Sequence, residues 1–167
     1  MKRRLPLVFL ALPTLAALLS SHATHANAPA GRYIIPVNSN GTTVFDTKTQ
    51  LTWQRLVSTT TYPWGTATTA GTAQATCAAL KLSNLTGWRL PTESELLTLV
   101  DHTQAYTGTN ALIDSIFENT PAAYFWSATP VAGTSGASAL AWCVDFSLGH
   151  GTEFAQTNPV NIRCVHD

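Results

Sequence analysis

Short stretches of alternating or β-branched apolar residues predict most of the secondary structure of this chain. Residues 33–37 predict a first strand. Residues 43–45 and 51–53 flank a polar run and predict a hairpin. A further strand is expected at 124–127. Three more strand candidates follow and predict a β meander: residues 140–146, 153–155 and 160–164.

Two segments between the hairpin and the later strands have helical spacing. The first predicts a helix over about residues 66–82, with an apolar face formed by Ala70, Ala73, Cys77 and Leu80. In the second, Thr92 and Glu95 have the spacing of a capping box, which predicts a short helix to about Asp101. The order of strand, hairpin, two helices and meander predicts an α+β fold with a small twisted antiparallel sheet.

The amino terminus has the pattern of a secretory signal peptide. The basic residues Lys2-Arg3-Arg4 precede an apolar run over residues 5–19, and small residues follow. This run is interrupted by proline and is shorter than the roughly 20 residues of a membrane-spanning helix, so we expect cleavage near Ala26 and no membrane span. The protein is therefore expected to be secreted or periplasmic. The predicted division is a signal peptide, a leader and one folded domain: residues 1–26, 27–41 and 42–167.

Removal of the signal peptide changes the charge balance. The full sequence has 9 basic and 9 acidic residues and a formal net charge of 0. Loss of Lys2, Arg3 and Arg4 leaves six basic residues against nine acidic ones, or a net charge of −3. An acidic domain lacks the basic surface that nucleic acids require, so we expect no nucleic-acid partner. The same charge disfavours tight binding to sulfated glycans.

Three cysteines remain after export, namely Cys77, Cys143 and Cys164. An oxidising compartment favours one disulfide and leaves one thiol over. A Cys77–Cys164 bridge would close a long loop, whereas a Cys143–Cys164 bridge would join two strands that are close in sequence. The residue types alone leave both pairings open. The remaining thiol is more often a buried apolar side chain than a reactive group.

The sequence has no motif of a known catalytic or metal site. It lacks a phosphate-binding loop, a dinucleotide fingerprint, a nucleophile elbow and a zinc-protease helix. His102, His150 and His166 are scattered, so no metal or cofactor is expected. Asp145 lies on a predicted strand and is expected to point to solvent or to pair with Arg163.

Five tryptophans are many for a domain of this size: Trp53, Trp64, Trp88, Trp126 and Trp142. Most tryptophans of small domains are core residues, but exported sugar-binding proteins also stack ligands on exposed indole rings. Trp126 and Trp142 adjoin the predicted loops 133–138 and 148–151 and are the better candidates for ligand contact. The complete candidate ligand-binding set is Trp126, Trp142, Asp145 and His150.

Several motifs occur in a fixed order: Leu51-Thr52-Trp53-Gln54-Arg55, Gly87-Trp88-Arg89-Leu90-Pro91-Thr92, Phe125-Trp126-Ser127, Ala141-Trp142-Cys143-Val144-Asp145-Phe146 and Arg163-Cys164-Val165. Together they resemble the Lcl C-terminal domain family, a bacterial family of unknown function, over roughly residues 42–166. The resemblance implies a single C-type-lectin-like domain with two helices and a disulfide between Cys77 and Cys164. It also implies a motif that determines the fold, formed by Trp53, Trp88, Arg89, Pro91, Thr92 and Glu95.

The segment from Cys77 to Glu95 is also similar to the formylglycine-generating enzyme superfamily. The leading hypothesis is an exported, non-catalytic binding or adhesion module of the bacterial envelope, with a glycan or an envelope protein as its partner. An oxidoreductase of the formylglycine-generating type is an alternative, and it requires an accessible Cys143 close to Cys164. A purely structural envelope domain is a second alternative, and it requires buried tryptophans and no cleft.

Overall fold

The computed structural model describes residues 28–167, so the predicted signal peptide lies outside the described residues. Within this range the chain forms two small antiparallel sheets and two short α-helices, which confirms the α+β class. The strands are β1 (Tyr33–Ile34), β2 (Thr43–Asp46), β3 (Leu51–Gln54), β4 (Tyr124–Pro130), β5 (Leu140–Asp145), β6 (His150–Ala155) and β7 (Val165–His166). The helices are α1 (Ala73–Ala79) and α2 (Glu93–Leu97). Neither helix has the length and apolar content needed to cross a membrane.

The first sheet has the strand order β1-β2-β3-β7. The predicted hairpin is confirmed, because β2 pairs with β3 along its whole length. Strand β1 lies within the segment predicted as a leader, so the folded domain extends into that segment. Arg32, just before β1, reinforces this pairing through an ion pair of 2.9 Å with Asp46 on β2.

The second sheet has the strand order β4-β5-β6 and is a meander, although not of the strands that the pattern predicted. Residues 160–164 were expected to be its last strand. Instead, the chain returns from there to the first sheet, where β7 pairs with β3. Val160, Ile162 and Cys164 are buried in the core, so their alternation reflects packing against the core, and the segment meets the meander at a parallel bridge between Asn161 and Phe125.

Helix α1 is shorter than its apolar repeat predicted. The Thr72 side chain caps it by accepting a hydrogen bond of 3.4 Å from the Ala75 N–H. Gly71 has a φ of +78°, which lies outside the right-handed helical region, so the helix cannot extend back to residue 66. The inward-facing positions Ala73 and Cys77 are buried.

The predicted capping box of α2 is confirmed. Thr92 Oγ1 accepts a hydrogen bond of 3.2 Å from the Glu95 N–H, and the Glu95 carboxylate accepts one of 2.7 Å from the Thr92 N–H. The helix ends at Leu97 and does not reach Asp101, because the Asp101 N–H donates to the carbonyl of Leu112 at 2.9 Å and turns the chain away.

Two buried clusters hold these elements together. The first contains Trp53, Leu96 and Val144 and joins the first sheet, α2 and one face of the second sheet. The second contains Trp88 and Trp126 together with the cysteines. A disulfide joins Cys77 on α1 to Cys164, with a Cα–Cα distance of 5.5 Å, and confirms the pairing that the family resemblance implied. Cys143 is the free cysteine, and it is buried.

Candidate functional site

The pairing of the second sheet separates the four candidate ligand-binding residues between its two faces. Successive side chains of a strand point to opposite faces, so Trp142 lies on one face of β5 while Cys143 and Asp145 lie on the other. Trp126 is opposite Cys143, and His150 is opposite Asp145. Trp142 therefore does not share a face with the other three candidates.

Trp126 and Asp145 are buried, which corrects the expectation that they contact a ligand. Trp126 is 0% exposed, and its indole N–H donates to the Tyr62 carbonyl at 2.8 Å. Asp145 is 2% exposed, and its carboxylate accepts hydrogen bonds from the Ser147 N–H (2.7 Å) and the Ser147 hydroxyl. The first residue fills the core, and the second orders the turn between β5 and β6. His150 is exposed and hydrogen-bonds the carbonyl of the next residue.

The expected alternatives for Asp145 were also wrong, because it neither points to solvent nor pairs with Arg163. The Arg163 guanidinium is fully buried and donates to the carbonyls of Gln54 and Arg55 and to the Thr120 hydroxyl. Burial lowers the pKa of Arg163 to about 9. Arg163 thus donates to neutral oxygen atoms and not to the Asp145 carboxylate that the sequence suggested.

Trp142 differs from the other four tryptophans in its packing. Trp53 belongs to the first buried cluster, Trp88 and Trp126 belong to the second, and Trp64 packs against the second. Trp142 belongs to neither cluster and is partly exposed. Its side chain is therefore not required to fill either core.

The indole N–H of Trp142 is also different from the others. Those of Trp64, Trp88 and Trp126 donate to backbone carbonyls at 2.8, 3.2 and 2.8 Å. That of Trp53 is buried without an acceptor. The Trp142 N–H has no acceptor among residues 28–167 and is not one of the buried unpaired groups, so it is open to solvent.

Two carboxylates flank Trp142. Glu153 stands directly opposite it on β6. Glu93, in the first turn of α2, lies against Gly151: its Oε1 is 2.2 Å from the position that a Cβ would occupy there, and Cε3 of Trp142 is 3.8 Å from the same position. Only glycine leaves room for the carboxylate at this point. The Glu93 N–H donates to Thr129 Oγ1 at 3.1 Å and fixes this end of the helix. We call the group of Trp142, Glu153, Glu93, Gly151 and Thr129 the Trp142 surface.

The Trp142 surface has uncompensated negative charge. Within residues 28–167, neither Glu93 nor Glu153 takes part in an ion pair. The four arginines of this range are engaged elsewhere, in pairs with Asp46, Glu118, Glu95 and Asp167 or, for Arg163, in the core.

Glu95, on the same helix, has the opposite environment. The Arg89 guanidinium donates to both of its oxygens, at 2.9 and 2.8 Å, and also to Asp167. Hydrogen bonding by Arg89 holds the pKa of Glu95 below its usual range. The neighbouring Pro91 is buried, and its carbonyl accepts a 2.7 Å hydrogen bond from Ala128 on β4. These contacts position α2, and hence Glu93, on the sheet.

The cysteines do not form a reactive pair. Cys164 is in the disulfide, and Cys143 is buried with its Sγ 3.5 Å from the Thr152 carbonyl. Burial raises the pKa of the Cys143 thiol to about 12, so the group stays protonated near neutral pH. The accessible thiol that the formylglycine-generating alternative required is not present in the described part of the chain.

A hollow with a volume of about 590 Å³ lies elsewhere, beside α1. It is lined by small or aliphatic residues and one lysine: Ala67, Thr68, Ala70, Gly71, Ala75, Thr76, Ala79, Leu80 and Lys81. This hollow has neither an aromatic ring nor a carboxylate. The Trp142 surface is therefore the better candidate.

Sequence reasoning identified Trp142 but missed Glu93, Glu153 and Gly151. A strand register would have revealed Glu153, because β5 and β6 are joined by a four-residue turn that places it opposite Trp142. The predicted strand began only at residue 153, so this pairing was not visible. No local pattern indicates that Glu93 approaches Gly151, since α2 and β6 are far apart in sequence.

The model of the Lcl C-terminal domain family matches residues 42–166. This range covers most of the chain, so the chain belongs to the Lcl C-terminal domain family. No curated protein matches it. No solved structure matches it either.

Proposed function

We propose that this member of the Lcl C-terminal domain family is an exported, non-catalytic binding or adhesion module that recognises a glycan through the Trp142 surface. The observation that carries the proposal is the open indole of Trp142, which fills neither core and has a free N–H. Aromatic rings of this kind stack on the apolar face of a sugar, while nearby carboxylates accept hydrogen bonds from its hydroxyl groups.

The predicted signal peptide and the disulfide support an extracytoplasmic location, secreted or periplasmic, because disulfides persist in oxidising compartments. The arrangement of two short helices on small antiparallel sheets supports a C-type-lectin-like fold. The buried, protonated thiol of Cys143 disfavours cysteine-dependent chemistry and supports binding without catalysis.

A direct test measures the binding of the secreted protein to a panel of neutral, amino and acidic oligosaccharides. We expect saturable binding to part of the panel and a loss of about 30-fold in the Trp142→Ala variant, since truncation of a central tryptophan typically costs about 2 kcal/mol. Tyr106→Ala is the matched control, because Tyr106 is an aromatic residue that is 65% exposed and lies outside the Trp142 surface.

Retained binding in the Tyr106→Ala variant and lost binding in the Trp142→Ala variant would support the assignment. No saturable binding by a folded protein, or equal binding by both variants, would refute it. The folded state of each variant is checked by its thermal unfolding.

A further inference from the structure

We infer that the ligand of the Trp142 surface is an amino sugar, in which a protonated amine stands beside the pyranose ring. This assignment rests on the proposed function and names its ligand class. It follows from the juxtaposition of an open tryptophan ring with two carboxylates that have no ion-pair partner within residues 28–167.

The charge of the site requires a cation. Glu153 stands opposite Trp142 on β6, and the Glu93 carboxylate of α2 lies against Gly151 near the Trp142 ring. A neutral ligand that covered the ring would remove water from both carboxylates without compensating their charge, which is costly. An ammonium group between them would compensate that charge and donate hydrogen bonds to both.

The aromatic ring also favours a cation. Tryptophan is the side chain whose ring attracts cations most strongly, and the attraction grows when water is excluded. The Glu93 carboxylate lies against Gly151, and the hydrogen bond of the Glu93 N–H to Thr129 fixes the start of α2 on the sheet. The backbone of this part of the site is therefore ordered before a ligand arrives, which reduces the entropy lost on binding.

The open indole N–H distinguishes a sugar from a lysine side chain. A lysine ammonium has donors only, so a basic peptide could pair with the Trp142 N–H only through a backbone carbonyl on a flexible chain. An amino sugar has an ammonium group and hydroxyl oxygens on one rigid ring. Its ammonium can donate to the carboxylates while a hydroxyl oxygen accepts from the indole N–H. The observations thus favour an amino sugar over a basic peptide.

The same charges exclude other glycans. N-acetylation removes the positive charge, so it should weaken binding. Sulfated or uronic-acid sugars should be repelled by Glu93 and Glu153 and by the net charge of −3 expected after export.

The experiment compares two ligands that differ only in the acetyl groups: a glucosamine tetrasaccharide and the corresponding N-acetylglucosamine tetrasaccharide. Titration calorimetry at about pH 6, where most of the amines are charged, should give about tenfold tighter binding for the glucosamine tetrasaccharide at low salt. Raising the salt to about 0.5 M should reduce this preference to about threefold, because screening weakens charge interactions.

Two variants test the role of the carboxylates. Glu93→Gln and Glu153→Gln should each lower the preference for the glucosamine ligand to about twofold, because the affinity that they remove is mainly that of the charged amine. Glu118→Gln is the control, because it makes the same change of charge at an exposed carboxylate outside the Trp142 surface. If one of the two test variants fails to fold, the other still decides the result.

Each outcome separates this assignment from the proposed function. Equal binding of both tetrasaccharides, with loss of binding in Trp142→Ala, would overturn the amino-sugar assignment and leave the glycan-binding function intact. Binding of neither tetrasaccharide, while other glycans bind, would have the same consequence. Tighter binding of a lysine tetrapeptide than of the glucosamine tetrasaccharide would overturn it in favour of a basic protein partner. Absence of glycan binding altogether would refute both.

Discussion

The two faces of the second sheet each carry a tryptophan, and the two residues have opposite environments. Trp126 has no exposed surface, its N–H is paired with the Tyr62 carbonyl, and it packs beside the disulfide. Trp142 packs into neither core, its N–H is open, and two unpaired carboxylates stand beside it. The comparison shows that a structural tryptophan and a ligand-binding tryptophan differ in the hydrogen-bond partner of the indole N–H and in the charge around the ring.

A similar contrast exists within α2. Glu95 is held by Arg89 and closes the capping box, so it is committed to the fold. Glu93, two residues earlier, forms no ion pair in the described part of the chain and lies against Gly151 near Trp142. One short helix thus provides both a structural carboxylate and a carboxylate of the candidate site.

The largest expected effect is loss of the disulfide on the Trp126 face. The double variant Cys77→Ala, Cys164→Ala should lose about 4–5 kcal/mol of unfolding free energy, because the bridge closes a loop with a sequence separation of 87. Urea unfolding measures this loss. If the variant remains folded, its affinity at the Trp142 surface should be unchanged, and a loss of affinity would show that the two faces are not independent.

Trp126→Ala should lose about 3–5 kcal/mol of unfolding free energy, since it leaves a large cavity in the core. Trp142→Ala should lose less than about 1 kcal/mol, because its ring fills neither core. Chemical denaturation of both variants makes the comparison directly. Similar losses of unfolding free energy in the two variants would contradict the difference in packing between Trp126 and Trp142.

Gly151→Ala should damage the Trp142 surface without damaging the fold. The new Cβ would lie 2.2 Å from Oε1 of Glu93, so the flexible carboxylate must move away from the ring. We expect about a tenfold loss of affinity for the glucosamine tetrasaccharide and a change in unfolding free energy below about 1 kcal/mol. Unchanged affinity would show that the position of Glu93 is unimportant.

Glu95→Gln should reduce stability by about 1 kcal/mol at neutral pH, because it weakens the pair with Arg89 and the capping box. The folded-state pKa of Glu95 lies below its unfolded value, so its contribution is present above the unfolded value of about 4.3 and is lost as the pH falls through the folded value. The difference from the wild type should therefore shrink below about pH 4. Urea unfolding at about pH 3 and about pH 7 measures this difference. An equal difference at the two pH values would contradict the role given to the ion pair between Glu95 and Arg89.

The smallest effect concerns Cys143, which lies opposite Trp126 in the sheet. Because burial raises the pKa of the thiol to about 12, alkylation of the native protein at neutral pH should be negligible and should become complete after unfolding. Mass spectrometry after iodoacetamide treatment measures this. Rapid labelling of the native protein would show that the Trp126 face is open.

Sequence patterns predicted correctly those elements that depend on residues close together in the chain. The hairpin of β2 and β3 and the capping box of Thr92 and Glu95 depend on neighbouring residues and are present. The disulfide followed from the family resemblance and not from spacing. The extent of α1 was overestimated because the apolar repeat continued through Gly71, whose backbone conformation stops the helix.

The candidate site was only partly predictable, because β5 is buried on both faces. The alternation of Trp142, Val144 and Phe146 with Cys143 and Asp145 indicated one buried face and one open face. In the structure all of these except Trp142 are buried, so periodicity could not tell which tryptophan is open. The register of β5 and β6 places Glu153 beside it, whereas Glu93 comes close through the packing of α2 against β6, which are distant in sequence.

The central claim is that Trp142 alone among the five tryptophans meets the ligand, and indole N–H resonances test it directly. A ¹H–¹⁵N spectrum gives one indole signal per tryptophan, and Trp142→Phe identifies the signal of Trp142. We predict that this signal shifts on titration with the glucosamine tetrasaccharide and exchanges rapidly with deuterium, while those of Trp64, Trp88 and Trp126 stay in place and exchange slowly. Binding of the ligand with a shift at another tryptophan and none at Trp142 would contradict the account.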